Sequence, residues 1–296
     1  MRIVLTLLFS LSLYSFSITE KKFKNIEFLD TKVLSFEKVG NEKFFGISAL
    51  EYDKKRKLLY MLSDRARLFT FKLNIKNNKI ASLKPIGSCR LKNLRGKNFF
   101  LYQSDSEGIS RVGDSFYISF ESRHPKILRF KNCKQVGSVK LPKILRSYKN
   151  YQGKNRTLES LEYNKKFGLI TSPEKRLKKT KKGWHTIFNS NGKVCSFEKD
   201  DKMSLVDFES DKDENLIGLF RRLDISSLGF VVNLKKIYLK KGVCKTKDLA
   251  TLKTKDGDNI DNFEGIVRVD KNLYLMVSDD NDNFFEKTLL TLFLLR

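Results

Sequence analysis

The sequence predicts an all-β protein, a β-propeller of five or six four-stranded blades with six preferred, on three observations. A short pattern, a small or acidic anchor followed by apolar residues, recurs along the chain. It stands at Ile47-Ser48-Ala49-Leu50, Ser106-Glu107-Gly108-Ile109, Leu158-Glu159-Ser160-Leu161 and Phe263-Glu264-Gly265-Ile266, with a degenerate copy at Phe208-Glu209-Ser210. Counted from Ser48, Glu107, Glu159, Glu209 and Glu264, the steps are 59, 52, 50 and 55 residues, which suits a propeller blade better than a helical solenoid repeat. Lastly, no stretch sustains a 3.6-residue apolar period, so amphipathic helices are not expected.

Taken from the start of the chain, residues 1–17 carry Arg2, an apolar run and then Ser15-Phe16-Ser17, the order of a secretory signal. The run is too short for a membrane anchor, which needs about 20 apolar residues. Residues 18–296 are expected to form one exported, soluble, monomeric propeller domain, periplasmic or secreted. After each anchor comes a polar turn and an apolar strand, at residues 58–62, 116–120, 168–171, 216–220 and 273–277. These segments are rich in β-branched and aromatic residues, and their turns carry Asp, Asn, Gly and Lys. Outer strands are expected at residues 68–73, 127–130, 186–189 and 229–239. The apolar segment 289–295 is expected to pair with residues 28–36, closing the ring and removing exposed sheet edges.

The net charge is +25, a field that draws anions to the surface. A nucleic-acid partner is not expected. The densest basic run, residues 175–182 with six Lys or Arg in eight, has no interleaved aromatics to stack on bases and reads as a solvated loop. Four cysteines, Cys89, Cys133, Cys195 and Cys244, lack Cys-x-x-Cys spacing, so zinc chemistry has no support. They permit three disulfide connectivities. Pairing of sequence neighbours, Cys89–Cys133 and Cys195–Cys244, is the expectation, with buried free thiols as the alternative.

A hairpin returns the chain to the end it left, so each anchor and the charge closing the next strand share one rim. Ser48 precedes Asp64 by 16 residues, Glu107 precedes Glu121 by 14, and Glu159 and Glu264 precede Glu174 and Asp279 by 15 each. Only the fourth copy departs, with Arg221 and Arg222. Inner strands of a propeller line its channel, so Glu107, Glu121, Glu159, Glu174, Glu264 and Asp279 are expected to converge at the channel mouth. The segment Asp279-Asp280-Asn281-Asp282-Asn283 adds oxygen donors there. Clustered hard-oxygen donors suit Ca²⁺ better than zinc. The plainer alternative is that each carboxylate caps a turn or pairs with a nearby arginine such as Arg65, Arg123 or Arg176.

Asp105-Ser106-Glu107-Gly108-Ile109, the strand 116–120 ending at Glu121, and Pro125-Lys126-Ile127-Leu128-Arg129-Phe130 together resemble the central signature of the phytase-like "esterase-like activity of phytase" family. Flanking segments match in order, so the resemblance covers nearly all of residues 40–285. Ser48 in place of an acid and the degraded fourth copy depart from the pattern. The resemblance implies an exported propeller and phosphate-ester hydrolysis of the phytase kind. On that basis the chain is expected to be a Ca²⁺-dependent phosphoric ester hydrolase, with the six carboxylates as metal ligands and Arg65, Arg123 and Lys175 contacting an anionic small-molecule substrate. A non-catalytic propeller binding a ligand or partner in the cell envelope is the alternative, and a metal-centred lactonase-type propeller a third. No Gly-x-Ser-x-Gly elbow is present, which leaves an α/β-hydrolase unsupported. Arg123-His124-Pro125 lacks the glycine of histidine acid phosphatases, so His124 reads as a rim residue. His185, beside Trp184, reads as structural.

Overall fold

The computed structural model describes residues 23–100, 103–283 and 286–296, and the expected signal segment 1–17 lies outside them. Polar turns between short apolar strands produce five blade sheets and a small antiparallel pair, Lys38–Val39 with Glu42–Lys43, with no α-helix among the described residues. From the channel outward, the first blade comprises Ile47–Asp53, Leu58–Ser63, Arg67–Lys76 and Lys79–Arg90. The second comprises Ser106–Val112, Ser115–Phe120, Lys126–Lys131 and Lys134–Val139. Leu158–Asn164, Gly168–Pro173, Trp184–Asn189 and Gly192–Glu198 make the third, extended by the short parallel strand Gly242–Val243. The fourth is built of Ser204–Ser210, Leu216–Asp224, Gly229–Tyr238 and Lys245–Lys253.

The fifth blade takes Asn262–Asp270, Leu273–Asp279 and Leu289–Leu295 from the end of the chain and Ile26–Val33 from its start. Ile26 faces Leu295 and Val33 faces Leu289 in this closing pair. The propeller therefore has five blades, not the six preferred from sequence. The amino-terminal strand fills the outer place of the last blade instead of founding another, so the ring closes without an exposed inner edge.

Alternation along the strands buries one side chain in two against each neighbouring blade. Phe28, Ile217, Leu219, Phe263, Tyr274 and Phe293 fill the space between the fourth and fifth blades. Ile47, Phe69, Phe71, Leu275 and Leu290 do the same between the fifth and first. Each such large side chain contributes about 1.5–3 kcal/mol relative to exposure. At the axis the inner strands come too close for side chains in two places. A Cβ on Gly108 would meet the Glu159 carbonyl oxygen at 2.6 Å, and one on Gly265 would meet the Ala49 Cα at 2.9 Å. This crowding accounts for the glycine after the acid in both Glu-Gly pairs.

Outer edges are held covalently. Cys89–Cys133 joins the first blade to the second and Cys195–Cys244 the third to the fourth, with no free cysteine among the described residues. The sequence-neighbour pairing is thus the one formed.

Candidate functional site

Every inner strand carries a one-residue bulge near its start. Pairing passes from Ile47–Ser63 to Ala49–Leu62, from Leu158–Pro173 to Ser160–Ser172 and from Phe263–Ser278 to Gly265–Val277. Ser48, Glu159 and Glu264 are left as the extra residues, and Glu107 lies in the equivalent irregularity between Ser106 and Ile109. Bulges re-aim side chains, and here Ser48, Glu107, Glu159 and Glu264 line a cavity of about 280 Å³ at the channel mouth. Asp64, Glu121, Glu174 and Asp279, at the ends of the second strands, and Arg221, opposite the start of the fourth inner strand, line the same cavity together with Asp105. All six carboxylates expected from sequence converge there.

In the fourth blade the shift falls between Leu205 and Asp207, so Val206 is the bulge residue. Glu209, the anchor inferred from sequence, is three residues too late. It lies deeper in the channel, within electrostatic reach of Glu162 and Glu51. Those two acids lace neighbouring inner strands: Glu51 accepts from the Arg111 amide at 2.7 Å and Glu162 from the Ser210 amide at 3.2 Å. With apolar Val206 at the bulge and Arg221 opposite the first residue of the inner strand, the fourth blade supplies the rim with a cation where the other blades supply hydroxyl and carboxyl groups.

That cation divides the ring. Arg221 donates to Glu264, which also accepts from Asn262 at 3.1 Å. Burial alone would lower the guanidinium's affinity for its proton, but the charges of Glu264, Glu159 and Glu174 outweigh it. Burial raises Glu264 to about 7, with Arg221 restraining the rise. Glu174 accepts from the Ser204 hydroxyl and lies 3.9 Å from Arg156.

On the other side no such cation is inserted among the described residues. Carboxylate oxygens of Asp105, Glu107 and Glu121 all lie within 4.8 Å of one another. Glu121 is pushed up to about 9, first by burial and then by the Asp105 charge, although it accepts the Thr157 amide. Burial and then the charges of Glu159, Asp105, Glu121 and Glu264 hold Glu107 well above the usual carboxylate range. Asp279 rises to about 8 through burial and the Glu264 charge, and Asp64 to about 6 mainly through burial. Two oxygens bound to one Ca²⁺ can lie up to roughly 5 Å apart, so the Asp105, Glu107 and Glu121 donor set fits a hard divalent cation. Asp105 is not among the six carboxylates expected as ligands; its place one residue before the inner strand puts its carboxylate beside that of Glu107.

A second cavity of about 950 Å³ adjoins the first, sharing Asp64, Asp105, Glu121 and Asn155 with it. Arg65, Arg123, His124, Lys126 and Lys154 make its wall cationic. Arg65 is paired at 3.5 Å with Asp64. Lys126 lies over the Phe99 and Phe120 rings, and burial lowers its pKa. Of the three expected anion contacts, Arg65 and Arg123 therefore face one cavity. Lys175 lines neither and donates instead to the Lys202 carbonyl at 2.9 Å.

The Asp279–Asn283 segment is mostly committed to neighbouring segments. Asp280 accepts the Gly46 amide at 3.0 Å and the Thr288 hydroxyl at 2.9 Å, and Asp282 pairs with Lys43. Asn281 is its further contributor to the mouth. His124 is at the rim, as expected, while His185 is fully buried with Nε2 2.7 Å from the Ser172 hydroxyl.

Comparison with solved structures returns matches at low identity. The glutaminyl cyclase of Myxococcus xanthus is similar over 90% of this chain and 97% of its own, at 11% identity and a TM-score of 0.47. The structure of U3-55K is similar over 86% and 77%, at 10% identity and a TM-score of 0.40. No curated protein matches this chain. The family model of the phytase-like "esterase-like activity of phytase" group matches residues 42–282, and the chain belongs to that family.

Proposed function

We propose that the channel mouth binds a divalent cation, Ca²⁺ by the hardness of its donors, and that the protein hydrolyses a phosphate ester bound beside it. The convergence of Asp105, Glu107 and Glu121 next to a cavity walled by Arg65 and Arg123 carries this reading. Three carboxylates placed together repel unless protonated or neutralised, and a cation there relieves that repulsion. When bound, it would supply Lewis-acid polarisation of the phosphoryl group and lower the pKa of a bound water. Arg65 and Arg123 can each present two N–H groups to phosphate oxygens, and the net charge of +25 draws anionic substrate toward them. Two disulfides support an exported, oxidising setting.

The test is hydrolysis of para-nitrophenyl phosphate with Ca²⁺ and with chelator, on the wild type and on Glu107→Gln. Activity lost in both chelator and variant supports the reading. Ca²⁺ binding without hydrolysis of this or other phosphate esters supports the non-catalytic, ligand-binding propeller instead.

A further inference from the structure

The fourth blade differs from the others at its channel-mouth end. Its inner strand begins at Ser204, opposite Arg221, yet the second strand continues to Asp224 and the third begins at Gly229. Residues 222–229 therefore project beyond the inner strand on the face that carries the mouth. Leu228 and Ile225 at this tip are 89% and 79% exposed, the most exposed large apolar side chains among the described residues, and Leu223 is 57% exposed.

The tip is an ordered structure. Ser226 donates to Asp224 at 2.8 Å, and the Phe230 amide donates to the Thr254 hydroxyl at 2.9 Å. Leu228 adopts a left-handed backbone with φ of 47°, a conformation that suits Gly or Asn and strains a leucine. A glycine or asparagine would turn the chain with less strain and no apolar exposure, so folding gives no reason for leucine. Arg222, Lys253 and Lys255 surround the tip against Asp224 and Asp256.

We propose that this hairpin tip docks reversibly on an anionic lipid surface, Leu223, Ile225 and Leu228 entering the headgroup region while the flanking cations meet acidic lipid. An exposed apolar cluster marks an interaction site, and apolar insertion combined with basic charge is the pairing that anionic bilayers bind. A protein carrying +25 has the charge complementary to such a surface. The docking is independent of the chemistry proposed for the channel mouth.

The test is co-sedimentation of the purified protein with vesicles of phosphatidylcholine alone or mixed equally with phosphatidylglycerol. Wild type should bind the anionic vesicles, and less so as salt rises. The double variant Ile225→Ser with Leu228→Gly should bind roughly tenfold more weakly, with a melting temperature unchanged or raised because the left-handed turn is relieved. Two results would overturn the proposal: wild type remaining in the supernatant with both vesicle types, or the double variant sedimenting as well as wild type, which would leave charge alone responsible.

Discussion

Arg221, at the channel-mouth end of the fourth blade, donates its guanidinium to the carboxylate of Glu264 in the fifth. The pair is mostly buried, and the charges of Glu159 and Glu174 also act on Arg221. One side of the carboxylate ring thus carries a cation within the polypeptide. Among the described residues no arginine or lysine is paired with Asp105, Glu107 or Glu121 on the other side, where Arg65 acts on Asp105 only through its charge, and the metal site is proposed there.

Replacing Arg221 by Met should destabilise the protein by about 3–5 kcal/mol at pH 8, because a buried carboxylate loses its partner. At pH 5 the loss should be smaller, since Glu264, raised to about 7, is already largely protonated there. Arg221→Lys should recover part of the difference. Denaturant unfolding at the two pH values measures it.

Without added metal, stability should fall as pH rises from 5 to 8. The unfolded carboxyls ionise near pH 4, whereas burial and neighbouring acids raise Glu121 to about 9 and Asp279 to about 8. Over this window the native state binds more protons than the unfolded state, which gives stability a negative slope with pH. The loss should be several kcal/mol, up to about 4 kcal/mol from each of these two groups, read from denaturant unfolding in chelator. A divalent cation should flatten the slope by replacing the protons.

Gly265→Ala should destabilise by about 1–3 kcal/mol. The added methyl would press on Ala49 Cα, which belongs to the backbone and cannot swing aside. Thermal melts should show the loss with and without Ca²⁺, which separates it from substitutions in the metal site.

Changing Cys195 and Cys244 together to Ser should cost about 2–4 kcal/mol, since the bridge spans 49 residues of sequence and joins two blades. Reduced wild type should melt at a temperature no higher than this variant.

Most of the fold was legible because turns and apolar strands recur at nearly equal spacing, and the closing pair of 289–295 with the amino-terminal strand was visible as an apolar segment lacking a partner. Blade number was misjudged because a blade shared between the termini reads as an addition until register shows it completing the fifth. At the site, acids beside glycine or serine were visible wherever the bulge residue is polar. The fourth blade hides its bulge behind Val206, and the nearest acid, Glu209, drew the reading three residues off. Sequence spacing also could not show that Arg221 turns inward to satisfy Glu264, or that Lys175 turns away from the cavity holding Arg65 and Arg123. Those outcomes depend on which blades become neighbours.

The most direct measurement is the melting temperature at pH 8 in millimolar Ca²⁺ and in chelator, for wild type and for Glu107→Gln. A ligand at 100 times its Kd stabilises the fold by about 2.7 kcal/mol, which should raise the wild-type melting temperature by about 5 °C. Glu107→Gln should melt no lower than wild type in chelator, because repulsion with Asp105 and Glu121 is relieved, and should gain little from Ca²⁺. A wild-type melting temperature unmoved by Ca²⁺ or chelator, with Glu107→Gln less stable in both, would contradict the account and make the carboxylates structural caps.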